Sequence, residues 1–487
     1  MFKLEKGCPY FKECGACNKL DISYEEELKE KQAYVQKLFN NLNYKKPIEI
    51  VKADNPYYYR NKVQMAFKLS KTKKVVSGIY EENSHKIVTV NDCLIQSEAI
   101  NDVLKKVNEA LSKNKITPFV NGGILKHVLV RYGFSTKEIM VVMVTESDFF
   151  PGRNNFVKDL LKLEPKITTI VQNIQSRDTS IVLGTKERVL YGKGYITDKL
   201  CGLTFKLSAR SFYQINPAQT EKLYNLAMEF ANLRNDNVVI DAYSGIGTIG
   251  MVASKKAKKV ICVENNQDAV KDARFNAKMN NINNVEFYLQ DSTKFLNDLV
   301  ISKAKIDCLF LDPPRTGTTY NFISAISKMK IKRVVYVSCG PDTLARDLKI
   351  FQDFGYEIIK AKAVDLFPKT NHVETVVLLS HRSSEKHINV KVDFETQEGK
   401  KFLDEVIDAV DSRKEPERAS YPEIKEYILN KYNVKVSTLN IAQTKAKYGI
   451  IERECYNKPK DENSRQPKCT KEKEDMIVDA LKHFKMI

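Results

Sequence analysis

The chain has 487 residues and a mass of 55.8 kDa, enough for about three or four domains, and its 43% hydrophobic and 29% charged residues exclude collagen-like repeats and wholesale disorder. No run of 18 uninterrupted apolar residues occurs, which excludes a membrane-spanning helix, and the start from Met1 to Cys8 carries no apolar h-region, so a cytoplasmic protein is expected. Lys and Arg number 79 against 61 Asp and Glu, a net charge of +18 that favours a polyanionic partner, nucleic acid first.

Ten cysteines are too few for a disulfide scaffold in a chain this long, and in a reducing compartment they serve as thiols, metal ligands or catalysts. Cys8, Cys14 and Cys17 crowd into one short segment, and Cys93 follows 76 residues after Cys17. Four thiolates suit either zinc or an iron–sulfur cluster, and spacing alone does not choose between them. Short apolar runs at 124–130 and 138–144 read as strands of a β-rich region that extends to about Cys201. From Asn216 the pattern changes: Asn216 suits an N-cap, Pro217 suits the first helical position, and 217–227 reads as a helix. Six apolar strands then alternate with helices, at 238–241, 260–264, 285–289, 308–312, 334–338 and 375–379, a rhythm that predicts a largely parallel, doubly wound sheet.

The rhythm stops after Ser380. Residues 381–386 read as a junction, and the remainder as helices separated by polar loops such as 458–464. Within it, 421–432 and 437–449, joined by 433–436, outline a helix-turn-helix with a Ser437 cap and a Gly449 stop, leaving Gln443, Lys445 and Lys447 available to nucleic acid. The charge is uneven. Before Arg382 there are 57 basic and 41 acidic residues, and from there on 22 and 20, so the polyanion is expected on the first four-fifths. A nucleic-acid-contacting tail and a protein-packing tail are therefore both open.

Three stretches carry chemistry. Asp241-Ala242-Tyr243-Ser244-Gly245-Ile246-Gly247 delivers a strand to a glycine turn where backbone can approach a ligand, and Glu264 closes the next strand, 23 residues after Asp241, where a carboxylate can bind ribose hydroxyls. Asp312-Pro313-Pro314-Arg315 puts an acid and a rigid turn at the C-terminal edge of a further strand. Ser338-Cys339-Gly340-Pro341 puts a thiol at the same edge of another; the glycine and proline turn the chain, so Cys339 can face the crevice instead of the core. Glu374 opens the last strand.

Together with Ser211-Phe212-Tyr213-Gln214-Ile215-Asn216-Pro217 and His372-Val373-Glu374-Thr375-Val376, these motifs resemble the bacterial S-adenosylmethionine-dependent RNA (uracil-5)-methyltransferases, those acting on 23S ribosomal RNA most of all. The resemblance runs from about Cys8 to Ser380. It implies that Gln214, Tyr243, Glu264 and Asp312 bind S-adenosylmethionine, that Asp291 faces its adenine, that Cys339 is the nucleophile and that Glu374 is the base. It also implies a [4Fe-4S] cluster on Cys8, Cys14, Cys17 and Cys93. The fold expected is α/β, a Rossmann-like class I methyltransferase domain with an N-terminal cysteine-cluster and β-rich part and a helical C-terminal extension. Its parts would be 1–95 with the cysteine cluster, 96–205 as a central RNA-binding region that can share a domain with it, 206–381 for methyl transfer, and 387–487. A monomer is expected.

The chemistry accounts for the residue types. Uracil C5 is a poor nucleophile, so a thiolate must first add to C6, and a carboxylate must then take the C5 proton before the thiolate can leave. Transfer RNA is the alternative substrate. A cytosine-5 enzyme typically has a Pro-Cys beside the acidic motif, and none is present; an amino-methylating enzyme usually has an aromatic where this chain has Arg315. A non-catalytic iron–sulfur RNA-binding protein would leave Cys339 and Glu374 without a role. Two departures from the ribosomal-RNA pattern stand out: the small β-barrel that often precedes the cysteines is not expected here, and the tail after Ser380 is additional.

Overall fold

A computed structural model describes residues 7–381, 421–448 and 469–486, apart from 12, 83, 178, 180, 433 and 485. Its contacts divide the chain into two compact units, Met1–Ser384 and Glu385–Ile487. In the first unit the elements run α1 (Tyr24–Asn40), β1 (Glu49–Val51), β2 (Lys62–Leu69), β3 (Val75–Tyr80), β4 (Ile87–Thr89), α2 (Glu98–Lys113), β5 (Leu125–Tyr132), β6 (Ile139–Thr145), α3 (Arg153–Leu163), β7 (Ile167–Ile174), β8 (Lys186–Tyr191), β9 (Tyr195–Leu200) and β10 (Leu203–Ser208). They continue as α4 (Pro217–Ala231), β11 (Val238–Ala242), α5 (Thr248–Ala253), β12 (Lys259–Glu264), α6 (Gln267–Met279), β13 (Val285–Leu289), α7 (Ser292–Ile301), β14 (Cys308–Leu311), α8 (Tyr320–Lys328), β15 (Arg333–Ser338), α9 (Pro341–Asp353), β16 (Tyr356–Val364) and β17 (Glu374–His381). No described helix is long and apolar enough to cross a membrane.

One sheet has the order β4-β3-β2-β5-β6-β7-β8 and is antiparallel except between β6 and β7. Every residue of β6 is buried because both faces are covered, which is why its sequence is an unbroken apolar run. On one face α2 and α3 contribute Val103, Val107, Leu111, Phe156 and Leu160; on the other, Leu129, Met140 and Val142 join the core that also holds Ile196 and Phe205 from the β9–β10 hairpin.

The other sheet has the order β1-β16-β17-β15-β14-β11-β12-β13, in which only β17 runs antiparallel to its neighbours. Val239 and Ile240 on β11 fall into different cores, as expected where helices cover both faces. The six expected strands are β11 to β15 and β17. Two further members, β1 and β16, were not expected, nor was α1, whose Val35 and Phe39 pack into this sheet's core. Thus residues 24–51, from within the stretch read as the cysteine-cluster region, complete the second sheet. Helix α1 starts with a capping box, Ser23 Oγ accepting from Glu26 N–H and the Glu26 carboxylate from Ser23 N–H, and α4 starts at Pro217 with Asn216 as its cap.

In the second unit, α10 (Tyr421–Tyr432), α11 (Thr438–Lys447) and α12 (Lys471–His483) close a small core of Ile424, Ile428, Val436, Ile441, Ile477 and Leu481. The expected pair of helices and the Ser437 cap are present, Asn440 N–H donating to Ser437 Oγ at 3.1 Å. Of the three polar side chains expected to be available on α11, Lys445 is buried, whereas Lys447 stays 63% exposed beside its acidic partner. Lys445 is 2% exposed with its ammonium 4.5 Å from the Tyr421 ring centroid, Lys447 pairs with Glu474 at 2.6 Å, and Gln443 accepts the Cys469 N–H at 3.0 Å. The expected Gly449 stop, the 458–464 loop and most of the 381–386 junction lie outside the described residues.

Candidate active site

In an open α/β sheet the ligand crevice lies beyond the C-terminal strand ends, where the strand order reverses, here between β11 and β14. Asp241 lies at the end of β11, Asp312 follows β14 directly, and Cys339 follows β15. Because β17 is antiparallel, its first residue comes to that same edge. Ser338 pairs with Thr375, and continuing the register by one pair sets Cys339 opposite Glu374. Gly340 caps α9 and Pro341 begins it; a side chain at Gly340 would meet Thr343 Oγ1 at 2.8 Å, so a larger residue in the turn that presents Cys339 would force Thr343 to shift.

Crowded acids raise one another's proton affinity. Burial pushes the Cys339 thiol up to about 11, repulsion from Glu374 and Asp312 adds to it, and the nearby Arg315 guanidinium opposes it. Glu374, 1% exposed, is held well above the usual carboxylate range by burial and by Asp312, again opposed by Arg315, and its Oε2 has no hydrogen-bond partner among the described residues. Burial raises Asp312 to about 7. Burial also raises Asp241 to about 8, against the Gly250 N–H that donates to its Oδ2 at 2.7 Å; its Oδ1 is buried and has no partner among the described residues.

Four further residues were expected to bind the cofactor: Gln214, Tyr243, Glu264 and Asp291. The Glu264 carboxylate accepts the Gly245 and Asn266 amides at 2.9 and 2.8 Å, which ties the glycine turn to the end of β12. Gly245 has φ +55° with open space where a side chain would be. Tyr243 takes a left-handed φ of 61°, its hydroxyl 3.0 Å from Thr318 Oγ1 and its ring against Phe322. Asp291 caps α7 through the Lys294 amide at 3.0 Å and is exposed. Gln214 is buried, its carbonyl accepting from Asn61 Nδ2 at 3.0 Å. The sequence reading gave no role to Arg315 or Asp241, although both stand in the motifs it quoted.

The profile of the tRNA (Uracil-5-)-methyltransferase family matches residues 23–382. The chain belongs to that family. Among its relatives are uncharacterized RNA methyltransferases of Oceanobacillus iheyensis, 42% identical over 76% of this chain and 82% of that one, and of Clostridium tetani, 37% identical over 79% and 84%. A solved relative, the Pyrococcus abyssi tRNA (uracil-54, C5)-methyltransferase in complex with S-adenosyl-L-homocysteine, is 25% identical with a TM-score of 0.62, covering 76% of this chain and 86% of that one. The protein is an S-adenosylmethionine-dependent RNA (uracil-5)-methyltransferase, with the α/β class I methyltransferase fold. The donor set suits a cationic cofactor, since Asp241, Glu264 and Asp312 bring three acidic side chains, one with an orphaned buried oxygen, to the ends of neighbouring strands.

In this methyltransferase Cys8, Cys14, Cys17 and Cys93 are free thiols that lie in one another's fields. Burial and then the other three thiols push Cys17 up to about 12. Backbone amides favour the thiolate forms, that of Ala16 at Cys14 and those of Ile95 and Gln96 at Cys93, and the Arg60 guanidinium favours those of Cys14, Cys17 and Cys93. Among the described residues, however, no three His, Cys, Asp or Glu side chains are arranged to hold one metal ion. The geometry does not by itself give the [4Fe-4S] centre that the family resemblance implied.

Proposed function

We propose that this enzyme methylates C5 of a uridine in structured RNA, with 23S ribosomal RNA as substrate, through a covalent bond between Cys339 and C6. The observation that carries the reading is the strand register, which, extended by one pair beyond Ser338 and Thr375, sets Cys339 opposite Glu374, close enough for the carboxylate to raise the thiol's proton affinity. The thiolate adds to C6 and moves the ring electrons toward C5. S-adenosylmethionine, bound by Gln214, Tyr243, Glu264, Asp291 and Asp312, supplies a methyl group on a positively charged sulfur. Glu374 takes the C5 proton, the electrons of that bond re-form the C5–C6 double bond, and the thiolate leaves. Glu374 suits a base because its raised proton affinity makes it a strong acceptor once ionised. In ribosomal and transfer RNA incubated with enzyme and S-adenosylmethionine, nucleoside mass spectrometry is expected to find 5-methyluridine in the ribosomal fraction. The likeness to a tRNA (uracil-54, C5)-methyltransferase favours a second reading, and 5-methyluridine appearing only in transfer RNA would establish it.

Cys8, Cys14, Cys17 and Cys93 are assigned to a [4Fe-4S] cluster, with Arg60 offsetting its negative charge. The family resemblance supports this assignment over zinc, and the four thiols lie close enough to raise one another's proton affinity. Methyl transfer needs no electron, so the role is structural. Protein purified without oxygen is expected to contain iron and sulfide, lost when any of the four becomes Ser; stoichiometric zinc without sulfide would overturn the assignment. The proposed setting is the cytoplasm, and residues 387–487 are proposed to adjust RNA choice without supplying catalytic groups.

A further inference from the structure

The connection from Asp365 to Val373 leads from β16 into Glu374, and five successive carbonyls of it are held from outside. Asp365 O accepts from Gln219 Nε2 at 2.9 Å, and Leu366 O from Asn216 Nδ2 at 3.0 Å. Phe367 O accepts from Lys31 Nζ at 3.2 Å, Pro368 O from the Tyr59 hydroxyl at 2.9 Å, and Lys369 O from the Asn18 and Lys19 amides at 3.1 and 3.2 Å. Beneath the loop lies a set of buried charges. Lys31 donates to Glu27 Oε1 and to Asp365 Oδ1, both at 2.7 Å. The Lys369 N–H donates to Glu27 Oε1 at 2.7 Å, while its ammonium lies 3.6 Å from Glu27 Oε2 and donates to Ile22 O at 3.0 Å. The Tyr24 hydroxyl completes the set by donating to Asp365 Oδ2 at 2.7 Å.

These two ammonium groups and two carboxylates balance, and none of the four side chains is more than 3% exposed. Apolar side chains of similar size commonly give equal or greater stability than buried ion pairs, so stability is a weak reason for burying four charges here; fixed geometry is the better one. We propose that Glu27, Lys31, Asp365 and Lys369 are positioning residues that hold the 365–373 loop, and through it the Glu374 carboxylate, where it can reach the C5 proton. This rests on Glu374 being the base. It also gives the N-terminal segment a part in polar chemistry: Asn18 and Lys19, which grip Lys369 O, follow Cys17 directly.

The test compares full-length wild type with Glu374→Gln, with the double variant Lys31→Met/Asp365→Leu, and with Tyr24→Phe. The double variant leaves Glu27 and Lys369 to neutralise each other, so charge balance is kept. S-adenosylmethionine Kd, KM for RNA, kcat, and the denaturant-resistant adduct of protein with methylated RNA are measured for each. In the double variant Kd and KM are expected to stay within about twofold while kcat falls by up to about a hundredfold, the scale of an ångström-sized misplacement, and methylated adduct accumulates as in Glu374→Gln. A smaller shift of the same kind is expected for Tyr24→Phe, which keeps all four charges and carries the comparison if the double variant does not fold. Equal loss of binding and turnover without adduct would mean a purely structural role and overturn the proposal. If Glu374→Gln itself traps no adduct, the base assignment is what fails, and an unchanged kcat in the loop variants would reject positioning separately.

Discussion

A thiol that keeps its proton up to about pH 11 is a weak nucleophile at neutral pH, so Cys339 needs positive charge beside it. Arg315 supplies one, and a bound sulfonium would supply another. Cys339 alkylation by iodoacetamide, followed by mass spectrometry from pH 6 to 10, is therefore expected to rise toward the alkaline end in ligand-free enzyme. S-adenosylmethionine should shift the profile to lower pH and uncharged S-adenosylhomocysteine should not, whereas Arg315→Ala should shift it higher. Identical profiles with the two ligands would reject this charge coupling. A second residue-scale prediction concerns stability. Asp241 keeps its proton to about pH 8 in the folded protein but only to about pH 4 in the unfolded chain. Between those values the folded state binds the extra proton, so this contribution is complete below pH 4 and is lost as pH rises to about 8. Relative to wild type, Asp241→Asn should be more stable at pH 8.5 than at pH 6 in thermal unfolding; an unchanged difference would contradict the assignment. Cys339, Glu264 and Asp312 could be singled out because each stands where an apolar strand meets a turn, whereas Glu374 alone reads as a surface carboxylate and was picked out by the family resemblance; the proton affinities come from burial, which a linear sequence does not display.

Among the elements, those built on a strong local period were legible: β13 matches its expected span, and α4 begins at the predicted cap. Strand β16 was missed because it alternates Lys360 and Lys362 with buried alanines and carries an irregularity between Ile358 and Lys360, so no apolar run marks it. Strand β1 is three residues long and becomes a strand only by pairing with β16. Helix α1 did carry a local signal, the Ser23-x-x-Glu26 box, but its charged sequence, with Glu25, Glu26 and Glu27 in the first turn, shows no long apolar run. Ser23→Ala is expected to cost ~1 kcal/mol, seen as a lower urea midpoint with an unchanged slope. No change in the midpoint would mean that tertiary packing alone holds the start of α1.

For the whole molecule, charge and unit boundaries lead to one prediction. The tail from Arg382 carries 22 basic and 20 acidic residues, and the contacts divide the chain at Ser384. A protein ending at Ser384 should bind S-adenosylmethionine as the full chain does. Its RNA affinity should fall with salt on nearly the same logarithmic slope, since that slope counts phosphates neutralised. A slope smaller by two or more would show that the tail grips phosphate directly.

The sequence by itself determined the doubly wound sheet and its crevice edge, because strand periodicity and glycine and proline turns are local properties, whereas the roles expected of Cys339 and Glu374 came from the family resemblance. Tertiary structure alone decided that β17 runs antiparallel and so brings Glu374 opposite Cys339, that residues 24–51 complete the second sheet, and that two lysines and two acids lie buried beneath the 365–373 loop. Those features depend on partners up to 342 residues apart in the chain, as with Lys369 and Glu27. Buried charge is stable only where its counter-charge has already been brought by the fold, and no local pattern records that.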